Sequence, residues 1–326
     1  MWLSEEGPTS RKHKGFIHPV VTFIVHYISV INIIIFVHDA LIHSTTTTTT
    51  TASIYYEKAN SDVNINVYNN ENGNDSENNN CIEYSIMIKR RQQYIACFLA
   101  LYFCICLCVR LALQWKNTKQ QSEQSHYKIY CEFYRMTFLC NVTIINVSIS
   151  FFYNRPIIAQ SFCLAVGIDQ FLWYIDLIGY FIWGTFPAGV CKYLLRNNWI
   201  NRITSCHHLW TIPLVFWGCG GVFHWLALPL SGIIIILNVL LSRWMTPISI
   251  ENLGDEDDEK YLYLNINLSH EMWEDVKFFN PNPDMPYLLR LIFWWFSTNV
   301  AVFAALCGIS YLLSFGSVIS PNTCVY

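Results

Sequence analysis

The chain is poor in charge. Of its 326 residues, 13% are Asp, Glu, Lys or Arg, about half of the roughly 25% found in an ordinary soluble domain. The formal net charge is only −3 and no basic stripe is interleaved with aromatics, so nucleic-acid binding has no support. Thirteen cysteines are present but no CxxC pair, which removes the zinc-ribbon and thioredoxin-like readings. Most of these cysteines lie inside apolar runs; Cys97, Cys104, Cys106 and Cys108 share one. They read as small buried hydrophobes rather than ligands, and no metal or cofactor is expected. Nucleotide-binding, protease and kinase motifs are absent.

What the chain has in quantity is apolar surface. Hydrophobic residues make up 53% and aromatics 16%, and mean hydropathy is positive. A soluble fold of this length cannot hide so much, whereas a bilayer can. The first apolar run, Gly15–Ile42, follows the basic cluster Arg11, Lys12 and Lys14. It is too long for a signal-peptide core and no small-residue cleavage site follows, so it reads as an uncleaved membrane helix. Residues 43–85, with seven consecutive threonines and an Asn-rich stretch, form a low-complexity loop expected to be disordered. Asn74 is a glycosylation acceptor if that loop lies outside the cytosol.

Five further runs are Tyr94–Leu113, Met136–Tyr153, Ser161–Trp183, His207–Phe223 and Leu288–Leu313, with Trp225–Leu241 between the last two. The stretch 207–241 is too long for one crossing, and the glycines Gly218, Gly220 and Gly221 with Pro229 divide it into two. The expected fold is an all-α multi-pass transmembrane helical bundle of about seven helices. Of the 20 Lys and Arg, Lys58, Lys89, Arg90, Arg91 and Arg155 fall on one side and Arg110 within a helix; the rest fall on the side of the N-terminus. That bias puts the N-terminus in the cytosol. The loop 246–286 is polar, and its run Asp255–Glu259 lacks the alternating ligands and glycine of a calcium loop.

Ionisable groups inside apolar runs are expensive and mark function or internal networks. Asp169 and Asp176 are seven residues apart, nearly two turns, so they share a helix face with Trp173 and Tyr180. His207 and His208 open the next apolar run. Neighbours on a helix point about 100° apart, so the two rings are not expected to bind one metal together. A histidine can act as base or nucleophile, with a carboxylate holding its tautomer. Arg110 is expected to snorkel to the headgroups. His224 is expected a membrane thickness away from His207, and His26 lies deep in the first helix without an evident partner.

The string His207-His208-Leu209-Trp210-Thr211 resembles the HHxxT element of the TLC domain shared by TRAM, ceramide synthase and CLN8-type proteins. Gly179-Tyr180-Phe181-Ile182 is similar to the GYF segment that this family places upstream of its histidines. Asn198-Trp199-Ile200 and the stretch Leu237–Trp244 are similar to flanking segments of the same family. The resemblance covers roughly residues 85–315. It implies a six-helix TLC-like domain at 86–315, preceded by an N-terminal helix within 1–42 and followed by a tail at 316–326. Gly184 and Thr185 stand where the family has an acid after GYF, and no acid follows His208 until Glu251. The smaller TLC proteins, which influence membrane lipid composition, are therefore nearer than the ceramide synthases. Fatty-acid elongases carry HxxHH, and Thr204 breaks that box.

The resulting expectation is a membrane protein acting in lipid metabolism or lipid-composition control. Its partners are membrane lipids, and it resides in the endoplasmic reticulum or plasma membrane. If it is an enzyme, it is a lipid acyltransferase with His207, His208 and Asp176 as catalytic residues, and Tyr180, Trp173, Asp169 and Thr211 binding substrate. A ceramide synthase-like sphingoid-base N-acyltransferase, which would take acyl-CoA as substrate, is one alternative. A scaffold, receptor or transporter is the other.

Overall fold

A computed structural model describes residues 18–46, 75–118, 124–196, 199–251, 261–270 and 286–314. The basic N-terminal cluster, the threonine run, Asn74, the acidic run Asp255–Glu259 and the C-terminal tail lie outside the described residues.

The fold is an all-α multi-pass helical membrane protein. Its elements are α1 (Pro19–Thr46), α2 (Asp75–Thr118), α3 (Gln124–Met136), α4 (Leu139–Phe152), α5 (Pro156–Ala165) and α6 (Gly167–Trp183). The short α7 (Tyr193–Arg196) and α8 (Trp199–Ser205) lead to α9 (His207–Gly218) and α10 (Ala227–Met245). A two-stranded antiparallel ribbon of β1 (Ser249–Glu251) and β2 (Tyr261–Tyr263), a 3-10 turn (Ile266–Leu268) and α11 (Tyr287–Ser314) complete it. Many of these residues are Val, Ile and Phe, poor intrinsic helix formers. In hydrocarbon the backbone must satisfy its own hydrogen bonds, and that requirement overrides propensity.

Four helices, α1, α2, α10 and α11, are long and apolar enough to cross a bilayer singly. Two bent pairs, α3–α4 (67°) and α5–α6 (54°), bring the number to six by length and composition. The seventh expected segment, at the histidine pair, is α9 with 12 residues, about 18 Å at 1.5 Å per residue. It continues α8 across a one-residue break at Cys206. As expected, 207–241 is two helices, and Pro229 falls in the first turn of α10, where its missing N–H has no partner to lose. Helix α2 starts at Asp75, inside the stretch assigned to the low-complexity loop.

The polarity runs inside-out. Phe36, Tyr94, Phe181 and Leu312 are largely exposed on the outer faces, where lipid tails replace water. The interior holds Asn146, Gln170, Asn238 and Asn299, all fully buried. Helices α4 and α5 form the centre and are buried over most of their length. Helix α2 packs on α4, α10 on α5, and α1, α6, α9 and α11 close the ring.

The breaks have identifiable causes. Between α5 and α6 the chain leaves the helix at Val166, and the carbonyl of Ala165 accepts the indole N–H of Trp295 at 3.1 Å. The approach of α11 there is close. A Cβ on Gly167 would lie 2.6 Å from Val302 Cγ1. Between α3 and α4 the break is held by Asn267 from the loop after α10. Its amide donates to the carbonyl of Thr137 (3.1 Å) and to Ser242 Oγ (2.8 Å), and its oxygen accepts the N–H of Leu139 at 2.6 Å. Asn267 thus caps α4 from 128 residues away. Its φ of 55° is one that Asn tolerates better than most residues. The polar loop 246–286 is therefore a structural plug in its described part.

Candidate functional site

The histidine pair owes its setting to a weak helix start. His207 is the first residue of α9, and Cys206 before it supplies no side-chain cap. His207 Nδ1 donates instead to the carbonyl of Thr204 at 2.9 Å. Pro213 within α9 lacks the N–H that would bond the Leu209 carbonyl, and the hydroxyl of Tyr174 on α6 donates to it at 3.0 Å. Thr211 Oγ bonds back to the carbonyl of His207 at 2.6 Å. Thr211, expected to bind substrate, is thus committed to its own helix. These bonds dock the first turn of α9 onto α6.

Both histidines are buried, at 3% and 9% exposure. Their ring centroids are 4.3 Å apart with the planes inclined by 31°. His208 lies flat on Trp173, 4.5 Å away at 13°, and Tyr102 of α2 meets His207 edge-on at 6.2 Å. His208 Nδ1 contacts the side-chain amide of Gln170 at 3.2 Å. That amide makes one contact in either orientation. With its oxygen on an Nδ1–H, the lone pair of His208 is left on Nε2. His207 already donates from Nδ1 to Thr204, so its lone pair is on Nε2. That atom is buried and has no hydrogen-bond partner.

The third group is Cys140, in the first turn of α4. One ligand atom each from Cys140, His207 and His208 lies within 4.8 Å of the other two. The two rings thus converge where the sequence spacing has them pointing about 100° apart. The 100° rule holds along a continuous helix, but His207 sits at the first position, where its ring folds back on Thr204. Asp169, in the first turn of α6, is within electrostatic range of Cys140.

Asp176 plays another part. It is fully buried, but its carboxylate faces the loop after α6. Oδ1 accepts the N–H groups of Ala188 (2.6 Å) and Gly189 (3.0 Å), and Oδ2 that of Cys191 (2.8 Å). The predicted orienting role toward a histidine is corrected accordingly: Gln170 and the Thr204 carbonyl hold the rings. The predicted stripe is also shifted. The buried face of α6 is Gly167, Gln170, Trp173, Asp176 and Gly179. Trp173 belongs to it, whereas Tyr180 is 43% exposed and stacks on Phe186. Gly179 is required where the loop returns, because a Cβ there would lie 2.4 Å from Pro187.

Arg110 turns inward rather than to the headgroups. It donates to Thr204 Oγ at 3.2 Å and pairs with Glu132 at 3.8 Å. Glu132 on α3 is 3% exposed and also takes Arg135 at 2.8 Å and Gln114 at 3.3 Å. The sequence signal for this buried carboxylate is slight, an i,i+3 pair with Arg135. Through Thr204 the cluster reaches the residue that orients His207. His26 finds Asn238 of α10, Nε2 to Oδ1 at 2.7 Å. His224 is held apart from the site, its N–H on Gln160 Oε1 at 2.7 Å. An apolar groove between α10 and α11, lined by Gly232, Ile235, Ile236, Leu289, Ile292, Phe293 and Phe296, contains none of the site residues.

Set against family models, curated proteins and solved structures, the chain matches none of them.

Proposed function

We propose that this multi-pass membrane protein acts on membrane lipids at the His207–His208 centre, in lipid metabolism or control of lipid composition. One observation carries the reading: His207 Nε2 holds a lone pair, is buried among membrane helices, and has no partner in the protein. A buried unpartnered acceptor is unfavourable by roughly 1–3 kcal/mol, and its retention points to a use. Substrates that reach such a position come from the bilayer, and acyl groups are the lipid electrophiles that histidine chemistry addresses. Thr204 fixes the His207 tautomer, Gln170 and Trp173 hold His208, and Asp176 takes no part. The HHxxT resemblance to TLC-domain proteins adds to this reading, with acyl transfer as the reaction class.

The test is lipidomics of cells expressing the wild type or His207→Ala/His208→Ala at matched protein levels. Phospholipid or sphingolipid acyl profiles are expected to change with the wild type and revert with the variant. A lipid change that persists in the variant assigns the protein a scaffold role. No change with either protein refutes the lipid reading.

A further inference from the structure

We propose that Cys140, His207 and His208 form an intramembrane zinc site. Three observations support it independently of any substrate. The first is proximity: one donor atom from each residue lies within 4.8 Å of the other two. The edge of a tetrahedral site with Zn–N near 2.0 Å and Zn–S near 2.3 Å is about 3.5 Å. Small side-chain rotations close that difference.

The second is the state of the donors. His207 is 97% hidden, with Nδ1 committed to the Thr204 carbonyl and Nε2 without a partner. A ring nitrogen donating to a backbone carbonyl while the other has no hydrogen-bond partner is the arrangement expected of a metal-binding imidazole. With its amide turned so that Oε1 rather than Nε2 faces Nδ1, Gln170 stands in the same relation to His208. The third is construction: the ligands come from α4 and α9, and each mount is separately fixed. Asn267 caps α4 one residue before Cys140. Pro213, Tyr174 and Thr211 fix the start of α9.

The donor set decides the ion. One sulfur and two imidazole nitrogens disfavour magnesium and calcium, which take oxygen, and suit zinc or copper. The Cys140 thiolate supplies one negative charge at the ion. Zinc takes cysteine and histidine in four-coordinate sites without redox chemistry, and it is the ion the proposal assigns. Three protein ligands leave a fourth position open, as in catalytic rather than structural zinc sites; with the ion bound, the His207 Nε2 lone pair goes to zinc, and a lipid acyl group would be polarised at that fourth position rather than attacked by the imidazole.

The experiment uses the full chain purified in detergent without chelators, with zinc alone as the added probe and metal content measured by mass spectrometry. The wild type is expected to retain about one zinc per chain through dialysis, as tightly held structural and catalytic zinc does. Cys140→Ser and His207→Gln are expected to lower retained zinc at least about tenfold, and His224→Gln, on the far side of the bundle, to leave it unchanged. Cobalt(II) added to the zinc-free wild type should give a thiolate-to-cobalt charge-transfer band that Cys140→Ser lacks. Cys140→Ser is nearly isosteric, and only monodisperse protein is scored. No zinc on the wild type after loading, copper in place of zinc, or full retention in monodisperse Cys140→Ser each overturns the assignment. Zinc retention is read without a lipid assay, so its failure is separable from failure of the lipid reading.

Discussion

Asp176 offers the sharpest separation between a structural and a catalytic carboxylate. It lies in the bent helix pair α5–α6, which by length and composition can span a membrane, and is fully buried. Its oxygens nevertheless bind Ala188, Gly189 and Cys191 backbone N–H groups at 2.6–3.0 Å. Hydrogen bonds to a charged acceptor contribute about 1.5–3 kcal/mol each, and three that share one carboxylate together give roughly 3–6 kcal/mol. Asp176→Asn keeps one acceptor oxygen for Ala188 and Gly189 but turns an NH2 toward the Cys191 N–H. The loop 184–191 should detach. Unfolding in detergent, followed by a dye or by circular dichroism, should move down by about 5 °C, at roughly 1.5 °C per kcal/mol for a chain of this length. A second readout reports the loop itself. Burial pushes the Cys191 thiol up to about 12, and the Asp176 carboxylate adds to that shift. A raised thiol pKa means that the unreactive thiol form persists through neutral pH. Removing the negative charge and opening the loop both favour the thiolate. Maleimide labelling at pH 8, mapped by mass spectrometry, should therefore rise at Cys191 in Asp176→Asn and stay low in the wild type. An Asp176→Asn protein that melts within about 2 °C of the wild type, with Cys191 still protected, would refute this account and return Asp176 to the catalytic list.

Four further outcomes follow from particular contacts. Gly167→Ala should destabilise the fold by about 1–3 kcal/mol through overpacking against Val302. Val302→Ala in the same chain should recover most of that loss, as measured by thermal unfolding. A double-mutant cycle of His26→Leu and Asn238→Leu should give a coupling of roughly 0.6–1.7 kcal/mol, the range for polar contacts between membrane helices; zero coupling would contradict the 2.7 Å bond. Asn267→Ala removes a cap and two further bonds at the α3–α4 break, a loss of about 2–3 kcal/mol at roughly 1 kcal/mol each. Glu132→Gln should lower stability more than Arg135→Gln. The first leaves both Arg110 and Arg135 without their carboxylate, the second only one buried partner less.

Helix order was legible because hydrocarbon imposes helix on any apolar run of sufficient length. The division of 207–241 was legible from Gly220 and Gly221, whose φ values of 68° and 80° make the turn. The bends were less so. Near Val166 the only local mark of a break is Gly167, and the stabilising partner, the Trp295 indole, lies 130 residues away. Asn267 poses the same difficulty from the other side: its three bonds all go to other elements, so in sequence it is one more Asn in a polar loop.

The site divides along the same physical line. Spacing within one helix predicts which residues share a face; it does not predict what that face meets. Asp176 and Trp173 were placed on one buried stripe correctly, but the stripe meets a returning loop at Asp176 and the histidines only at Trp173 and Gln170. The histidines are marked by their chemistry, but the 100° spacing of a continuous helix does not describe their relation to each other. Its position as the first residue of α9 changes the argument. The ring is free to turn back to a carbonyl of the preceding turn, and the two imidazoles then converge instead of diverging. That convergence also makes Cys140 meaningful. Among thirteen cysteines, mostly in apolar runs, it carries no motif, and it acquires one only because the Asn267 cap starts α4 at Leu139, opposite the start of α9. A three-donor centre assembled from two helix starts has no sequence spacing to recognise. The local features that build it are an uncapped helix start before His207 and a proline six residues on.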